Sequence, residues 1–400
     1  MQFPSSVPVP AEVVEIASRL EEAGHEAWCV GGALRDALLD IPHSDFDIAT
    51  SALPEEVQAL FRRTVPVGLK FGTVGVLDGR RRLHEVTTFR RDVSTDGRKA
   101  VVAYGITLEE DLARRDFTIN AIAYHPIRHE WRDPFAGAID LARKRVRAVG
   151  NATERFQEDY LRILRCARFA ARLKFTVVQE TWQAAVANAP GLANLSAERV
   201  RDEWYKSLET SESLERLAGL WDKIGAAAVW IPELRTPDER NEIDVLHGVR
   251  DRDISRDPVL LTVLLCHRPS EVLTRFKASR AEINRALALE KHPAGPAGND
   301  PVSVRRWMAQ VEECSRDLME LSRLRSGDWP PWRSMVESIR SRGDATRIKD
   351  LAVTGEDLIG LGISPGPRLG QMLTMLLDHV IEDPRLNTRD GLLSLAREHS

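Results

Sequence analysis

Four hundred residues exceed what one hydrophobic core organises, so the chain should divide into about two to four domains. With 43% hydrophobic and 29% charged residues it reads as folded throughout, and a net charge of −4 argues against a protein that binds nucleic acid through overall charge. Residues 80–175 depart from that mean, with 21 Lys and Arg against 13 Asp and Glu, and predict a basic face on an acidic body.

The start, MQFPSSVPVP, lacks the charged and apolar stretches of a signal peptide. No apolar run reaches the ~20 residues of a membrane helix. Cys29, Cys166, Cys266 and Cys314 lie far apart and form no zinc spacing, which suggests reduced thiols in a cytoplasmic protein.

In chain order, residues 11–23 predict an amphipathic helix after Pro10, ended by Gly24. Ala27–Val30 reads as a buried strand, followed by Gly31-Gly32 and a helical run to about Asp40. A second strand carries Asp45 and Asp47. A helix is expected from Pro54 to about Phe61, then strands at 64–67, 73–77 and 83–89, broken at Gly68 and Asp78-Gly79. Residues 90–99, RRDVSTDGRK, read as a mobile polar loop, and 101–104 as the returning strand. A short helix at 108–112 precedes Arg114-Arg115-Asp116 and the buried run 117–124. Asp133–Gly137 reads as a turn and 143–149 as a basic edge strand. From there the character is helical: a long helix at 154–173, with no strand expected after it, then helices near 179–188, 197–209, 212–225 and 257–265. Ser196 caps the 197–209 helix in this reading, and His247 has no metal-binding Asp beside it. A small mixed sheet with helices on one side therefore occupies about residues 24–150, and a helical body the remainder.

Three constellations carry chemistry. Asp45 and Asp47, two apart on a strand, project to one face while Phe46 and Ile48 face the core. Alone such a pair is often two solvated carboxylates. Behind Gly31-Gly32 and a helix start, which favour close backbone approach and an anion, the pair suits Mg²⁺ and a triphosphate. That combination points to phosphoryl or nucleotidyl transfer. Arg35 either neutralises phosphate or pairs with Asp36. In the second constellation Arg115 is the candidate for a ribose or phosphate contact, with Asp116 as its orienter. The third lies on the 154–173 helix, where Glu158, Asp159, Arg162, Arg165 and Arg168 follow one flank. An Asp159–Arg162 pair would present one acceptor edge and one donor fork to the Watson–Crick edge of a base.

The runs GGALRDALL with DFDIATSALPEEV, VGLKFGTVGV, EVTTFR, RRDFTINAIA and EDYLRILRCARFAARL resemble the class II tRNA nucleotidyltransferases, the CCA-adding enzymes, which share a head domain with bacterial poly(A) polymerases. The resemblance covers about residues 24–210. It implies an α+β fold: an N-terminal nucleotidyltransferase head with a small mixed β-sheet and flanking helices, then an all-α neck, body and tail. The expected limits are 1–150, 151–210, 211–290 and 291–400. It also implies addition of C, C and A to the tRNA 3′ end from CTP and ATP, without a nucleic-acid template. By this resemblance Gly32, Arg35 and Arg115 bind nucleotide, and Asp45 and Asp47 hold Mg²⁺. Asp159 and Arg162 select the base, and Arg165 and Arg168 complete the pocket. Glu85 is a possible third metal-site acid. Neither a membrane nor a stable protein partner is expected.

Two positions depart from the family pattern. Asp40 replaces the usual Gly, and residues 96–100 replace an Arg-Arg-Pro-like sequence in a loop that switches specificity from C to A; the loop is present, which favours full CCA addition. The alternatives are an A-adding or CC-adding enzyme, a poly(A) polymerase, a non-catalytic RNA-binding protein, and nucleotidyl transfer to a small molecule.

Overall fold

Short apolar runs bounded by turn residues form one mixed sheet, in which the sequence's candidate acid strand is central. The computed structural model describes residues 3–42, 46–95, 100–241, 243 and 255–399. The strands are β1 (Ala27–Val30), β2 (Asp47–Thr50), β3 (Thr64–Gly68), β4 (Thr73–Leu77), β5 (Leu83–Thr88), β6 (Arg91–Thr95), β7 (Ala100–Ala103), β8 (Ala123–Tyr124) and β9 (Trp131–Arg132). Seven of them join in the order β3-β4-β5-β2-β1-β8-β9. Within that sheet β2 and β5 run parallel and the other neighbours antiparallel. Helices α1 (Ala11–Glu22), α2 (Gly32–Leu38), α3 (Pro54–Leu60) and α4 (Leu108–Ala113) match the expected segments within a few residues. Phe46 and Ile48 are buried, as the alternation of an acid-bearing strand requires. Asp40 takes a left-handed backbone, φ 54°, a conformation that Asp tolerates better than most residues and glycine best; the substitution at this position is accommodated.

Three expectations are corrected and one, the turn at Asp133–Gly137, is borne out and extended. Residues 91–95 are not loop but strand β6, which pairs with β7 in a hairpin separate from the main sheet. Val93 and Thr95 supply β-propensity that the polar neighbours mask. Residues 96–99 and His247 lie outside the described residues. The turn at Asp133–Gly137 leads straight into α5 (Gly137–Ala142), because the Asp133 carboxylate accepts from Gly137 N (2.7 Å) and Ala138 N (3.0 Å) and caps the helix. The basic strand shrinks to β10 (Arg145–Val146). It runs parallel to β11 (Thr176–Val177), a strand that was not expected, in a two-stranded sheet of its own.

The remaining correction matters most for the site. The 154–173 helix is two helices, α6 (Ala152–Glu158) and α7 (Leu161–Arg172). Asp159 between them is extended, φ −154° and ψ 104°, and its Oδ1 accepts from Leu161 N at 3.1 Å. Aspartate competes with the helix for backbone donors, so it ends one helix and starts the next. Helices α8 (Gln179–Asn188) and α9 (Ala197–Thr210) follow as expected. Ser196 holds the N-cap position of α9 without a side-chain capping bond.

The chain divides into two units, Met1–Pro232 and Glu233–Ser400. The second unit is helical from Pro258–Leu265 to Arg389–Glu398, and a buried cluster gathers around Leu358, Leu376, Val380 and Leu392. No helix among the described residues is long and apolar enough to cross a membrane, and none of the four cysteines forms a disulfide.

Gly137 shows how tightly this frame holds the site. A Cβ there would stand 2.2 Å from the carbonyl oxygen of Thr118, in the 3₁₀ turn that ends at Asn120. Backbone cannot yield as a side-chain tip can. Gly137→Ala should cost about 1–3 kcal/mol in chemical denaturation; unchanged stability would contradict this packing.

Candidate active site

Strand β1 ends at Val30, and the chain turns into α2 through Gly31, whose φ of 85° favours glycine. Space demands glycine as well. A Cβ on Gly31 would lie 3.1 Å from Asp47 Oδ2 and 3.4 Å from Arg115 Nη1. The β1–β2 register sets Asp47 opposite Val30, so the carboxylate stands at the glycine turn. Burial first, then the negative charge of Asp47, push the neighbouring Cys29 thiol up to about 12. Asp45 lies outside the described residues. Glu85 is exposed on β5, one step before the Ile48↔Val86 pairing and hence level with Asp47. Among the described residues no three His, Cys, Asp or Glu side chains gather for a metal. The hard oxygens of the Asp47 carboxylate and the cleared space over it suit a hard divalent cation, and Glu85 lies level with them on the next strand.

Beside this turn lies a cavity of about 580 Å³. Its walls carry six cationic side chains, Arg35, Arg115, Arg165, Arg168, Arg172 and Lys206, against the acids Asp36, Asp47 and Asp116. That surplus suits a polyanion. Arg35, 2% exposed, donates from Nε and Nη2 to Asp36 Oδ1 (2.8 and 2.6 Å) and from Nη1 to Asn120 Oδ1 (2.6 Å). The other oxygen of Asp36 accepts from Arg172 at 2.7 Å. Arg115 pairs with Asp111 at 3.2 Å, and its buried Nε has no acceptor among the described residues. Arg168 and Glu203 form a buried pair at 2.6 Å. The Phe169 ring sits among three guanidiniums, with Arg168 at 4.4, Arg35 at 4.9 and Arg165 at 5.4 Å from its centroid.

Asp116 joins two walls of the cavity. It accepts from Arg165 (2.7 Å), Asn120 Nδ2 (2.9 Å) and Phe117 N (2.8 Å). Burial would raise its pKa; the Arg165 charge and these hydrogen bonds outweigh that and hold it at about 2.

Of the residues singled out in the sequence, Gly32, Arg35, Asp47, Arg115, Arg165 and Arg168 converge on this cavity. Two expected pairings are corrected. Asp116 orients Arg165, not Arg115, which Asp111 holds instead. Asp159 and Arg162 do not pair and do not line the cavity. Asp159 Oδ2 is bound by Arg199 at 2.7 Å, and Arg162 by Glu158 at 2.6 Å, because the break at Asp159 removes the shared helical register. Asn120, Arg172 and Lys206 are additions. Arg172 continues the helical spacing of Arg168, and Asn120 is polar in a buried run, so both left a trace in the sequence. Lys206 left none.

Residues 27–147 match the family described as Poly A polymerase head domain, 174–236 that described as RNA and SrmB-binding site of polymerase A, and 259–396 that described as tRNA nucleotidyltransferase domain 2. The CCA-adding enzyme of Leuconostoc mesenteroides is 35% identical, over 98% of this chain and 98% of its own. That of Latilactobacillus sakei is 33% identical, over 99% and 100%. The structure is similar to that of the Bacillus stearothermophilus CCA-adding enzyme in complex with CTP: TM-score 0.82 at 32% identity, covering 97% of this chain and 96% of that one.

Asp116→Ala leaves Arg165 and Asn120 without their acceptor and should cost about 2 kcal/mol. This is less than for a fully buried pair, because Arg165 is 34% exposed. A lowered carboxyl pKa stabilises above its unfolded value of about 4, and that contribution is lost as pH falls towards about 2. The stability gap between wild type and variant, followed by denaturation across that window, should therefore close on acidification. A gap that is independent of pH there would contradict the assignment.

Proposed function

The chain belongs to the CCA-adding enzyme family, on which ground we propose that it extends the 3′ end of tRNA with C, C and A from CTP and ATP. The observation that carries this reading is the cavity in which a glycine turn, the Asp47 carboxylate and an arginine-rich wall meet. Asp45 and Asp47 would hold Mg²⁺, which would supply positive charge to the reacting phosphate and to the attacking 3′-hydroxyl. Gly31 and Gly32 let the phosphates approach the backbone at the start of α2. Arg115 and the wall of Arg35, Arg165, Arg168 and Arg172 balance the triphosphate charge.

Base choice falls to Asp159 and Arg162. In this structure each has another partner, Arg199 and Glu158, and the side chains concerned range from 12 to 39% exposed. Partly exposed pairs are worth little, so an incoming base can displace them at small cost. A carboxylate acceptor and a guanidinium donor then read the base edge, and no RNA or DNA template is needed. We assign catalysis to residues 1–150, base selection to 151–210, and the grip on tRNA to 211–290 and 291–400. The cytoplasm, where tRNA is processed, is the proposed location. The A-adding, CC-adding and poly(A) alternatives differ from this reading in product and are separated by the same assay.

Incubated with tRNA ending at the discriminator base, CTP, ATP and Mg²⁺, the enzyme should add three residues and stop. An open ladder of A, or arrest after two residues, would contradict full CCA addition. Asp47→Ala should lower incorporation by a factor on the order of 10³ or more with an unchanged melting temperature. Asp159→Ala and Arg162→Ala should each reduce discrimination of CTP against UTP about tenfold, the worth of one good hydrogen bond. Undiminished selectivity in both would remove these residues from base choice.

A further inference from the structure

Every arginine lining the cavity has a carboxylate partner. Arg35 and Arg172 share Asp36, Arg115 takes Asp111, Arg165 takes Asp116 and Arg168 takes Glu203. Lys206 lines the same cavity, and among the described residues its ammonium makes no ion pair and no hydrogen bond. Glu203, three residues earlier on α9 and the acid whose charge reaches Lys206, is bound by Arg168 at 2.6 Å. Lys206 is an exposed residue at the cavity edge, where partial desolvation and the like charges of Arg168 and Arg165 lower its pKa against the opposite pull of Glu203. A bound anion would relieve both costs.

The two helices indicate which anion. From Asp159, just before α7, along that helix and α9, Asp159 meets Arg199, Arg168 meets Glu203, and the charge of Arg172 is felt at Lys206. The helices therefore run in the same direction, with Lys206 seven residues, or about 10 Å, beyond Arg199. A base held at Asp159 and Arg162 would lie at one end of this wall and Lys206 at the other. That separation is roughly the span from the base of a nucleoside triphosphate to its terminal phosphates. Lysine, a compact point charge, suits a phosphate end as well as the planar arginine fork does.

We propose that Lys206 binds the β,γ-phosphate end of the incoming nucleoside triphosphate. This rests on reading the cavity as the triphosphate site. A tRNA phosphate has the same chemistry, so the test separates the two sources. Titration calorimetry of the full chain would compare CTP, CMP, inorganic tripolyphosphate and tRNA lacking CCA, for wild type, Lys206→Ala and Lys206→Arg, with melting temperatures as a check on folding. Lys206→Ala should weaken CTP and tripolyphosphate about tenfold and leave CMP and tRNA within about twofold, and Lys206→Arg should recover most of the loss. Equal weakening of CMP and CTP, unchanged CTP affinity, or a loss confined to tRNA would overturn the proposal. A wild-type chain that binds no CTP would instead sink the reading of the cavity, and tripolyphosphate binding would still report on the lysine.

Discussion

Three guanidiniums around one phenyl ring are a concentration of like charge that folds only if each is matched by a carboxylate. At Phe169 the matching groups come from different parts of the chain: Asp36 from α2, Asp116 from the segment after α4, and Glu203 from α9. Asp36 binds Arg35 on its own helix and Arg172 on α7. Asp116 binds Arg165, while Asn120 spans from Asp116 to Arg35. Slipping either helix by one residue would leave several charges buried and unpaired, each at a cost of several kcal/mol. The pairs therefore fix how α7 and α9 face the glycine turn.

The same arrangement prepares the cavity for a polyanion. Its acids neutralise the arginines pairwise without filling the space between them, so the guanidiniums are already ordered when a ligand arrives. Asp47 comes from another element than these acids, the central strand β2. It stands at the Gly31 turn, where the absent side chain leaves its oxygen reachable. One wall thus gathers the guanidiniums, and the glycine turn carries the Asp47 carboxylate. The pairs Asp159 with Arg199 and Arg162 with Glu158 are more exposed than Arg35–Asp36 and Arg168–Glu203. On the proposed reading, the part of the site that distinguishes two nucleotides is the part most easily rearranged.

Much of this was legible in the sequence because it is local. The β1–turn–α2 unit, the alternation around Asp47 and the helical spacing of Arg165, Arg168 and Phe169 depend on residues a few positions apart. The polar stretch before Ala100 misled because strand propensity hid among charged neighbours. Asp159 misled for a related reason: periodicity carried a helix across a residue whose side chain prefers to bind backbone. Pairings across the fold had no local sign. Nothing near Asp116 announces that Arg165 rather than Arg115 will claim it, and nothing in the α9 sequence announces that Lys206 will face the cavity.

The central claim is that a nucleoside triphosphate lies along this wall with its reacting phosphate at Asp47. A crystal structure with CTP and a divalent cation tests it directly. The cation should bind the Asp47 carboxylate, the phosphates should lie between the Gly31–Gly32 turn and the arginine wall, and the cytosine should face Asp159 and Arg162. CTP bound outside this cavity, or a cation coordinated away from Asp47, would contradict the account.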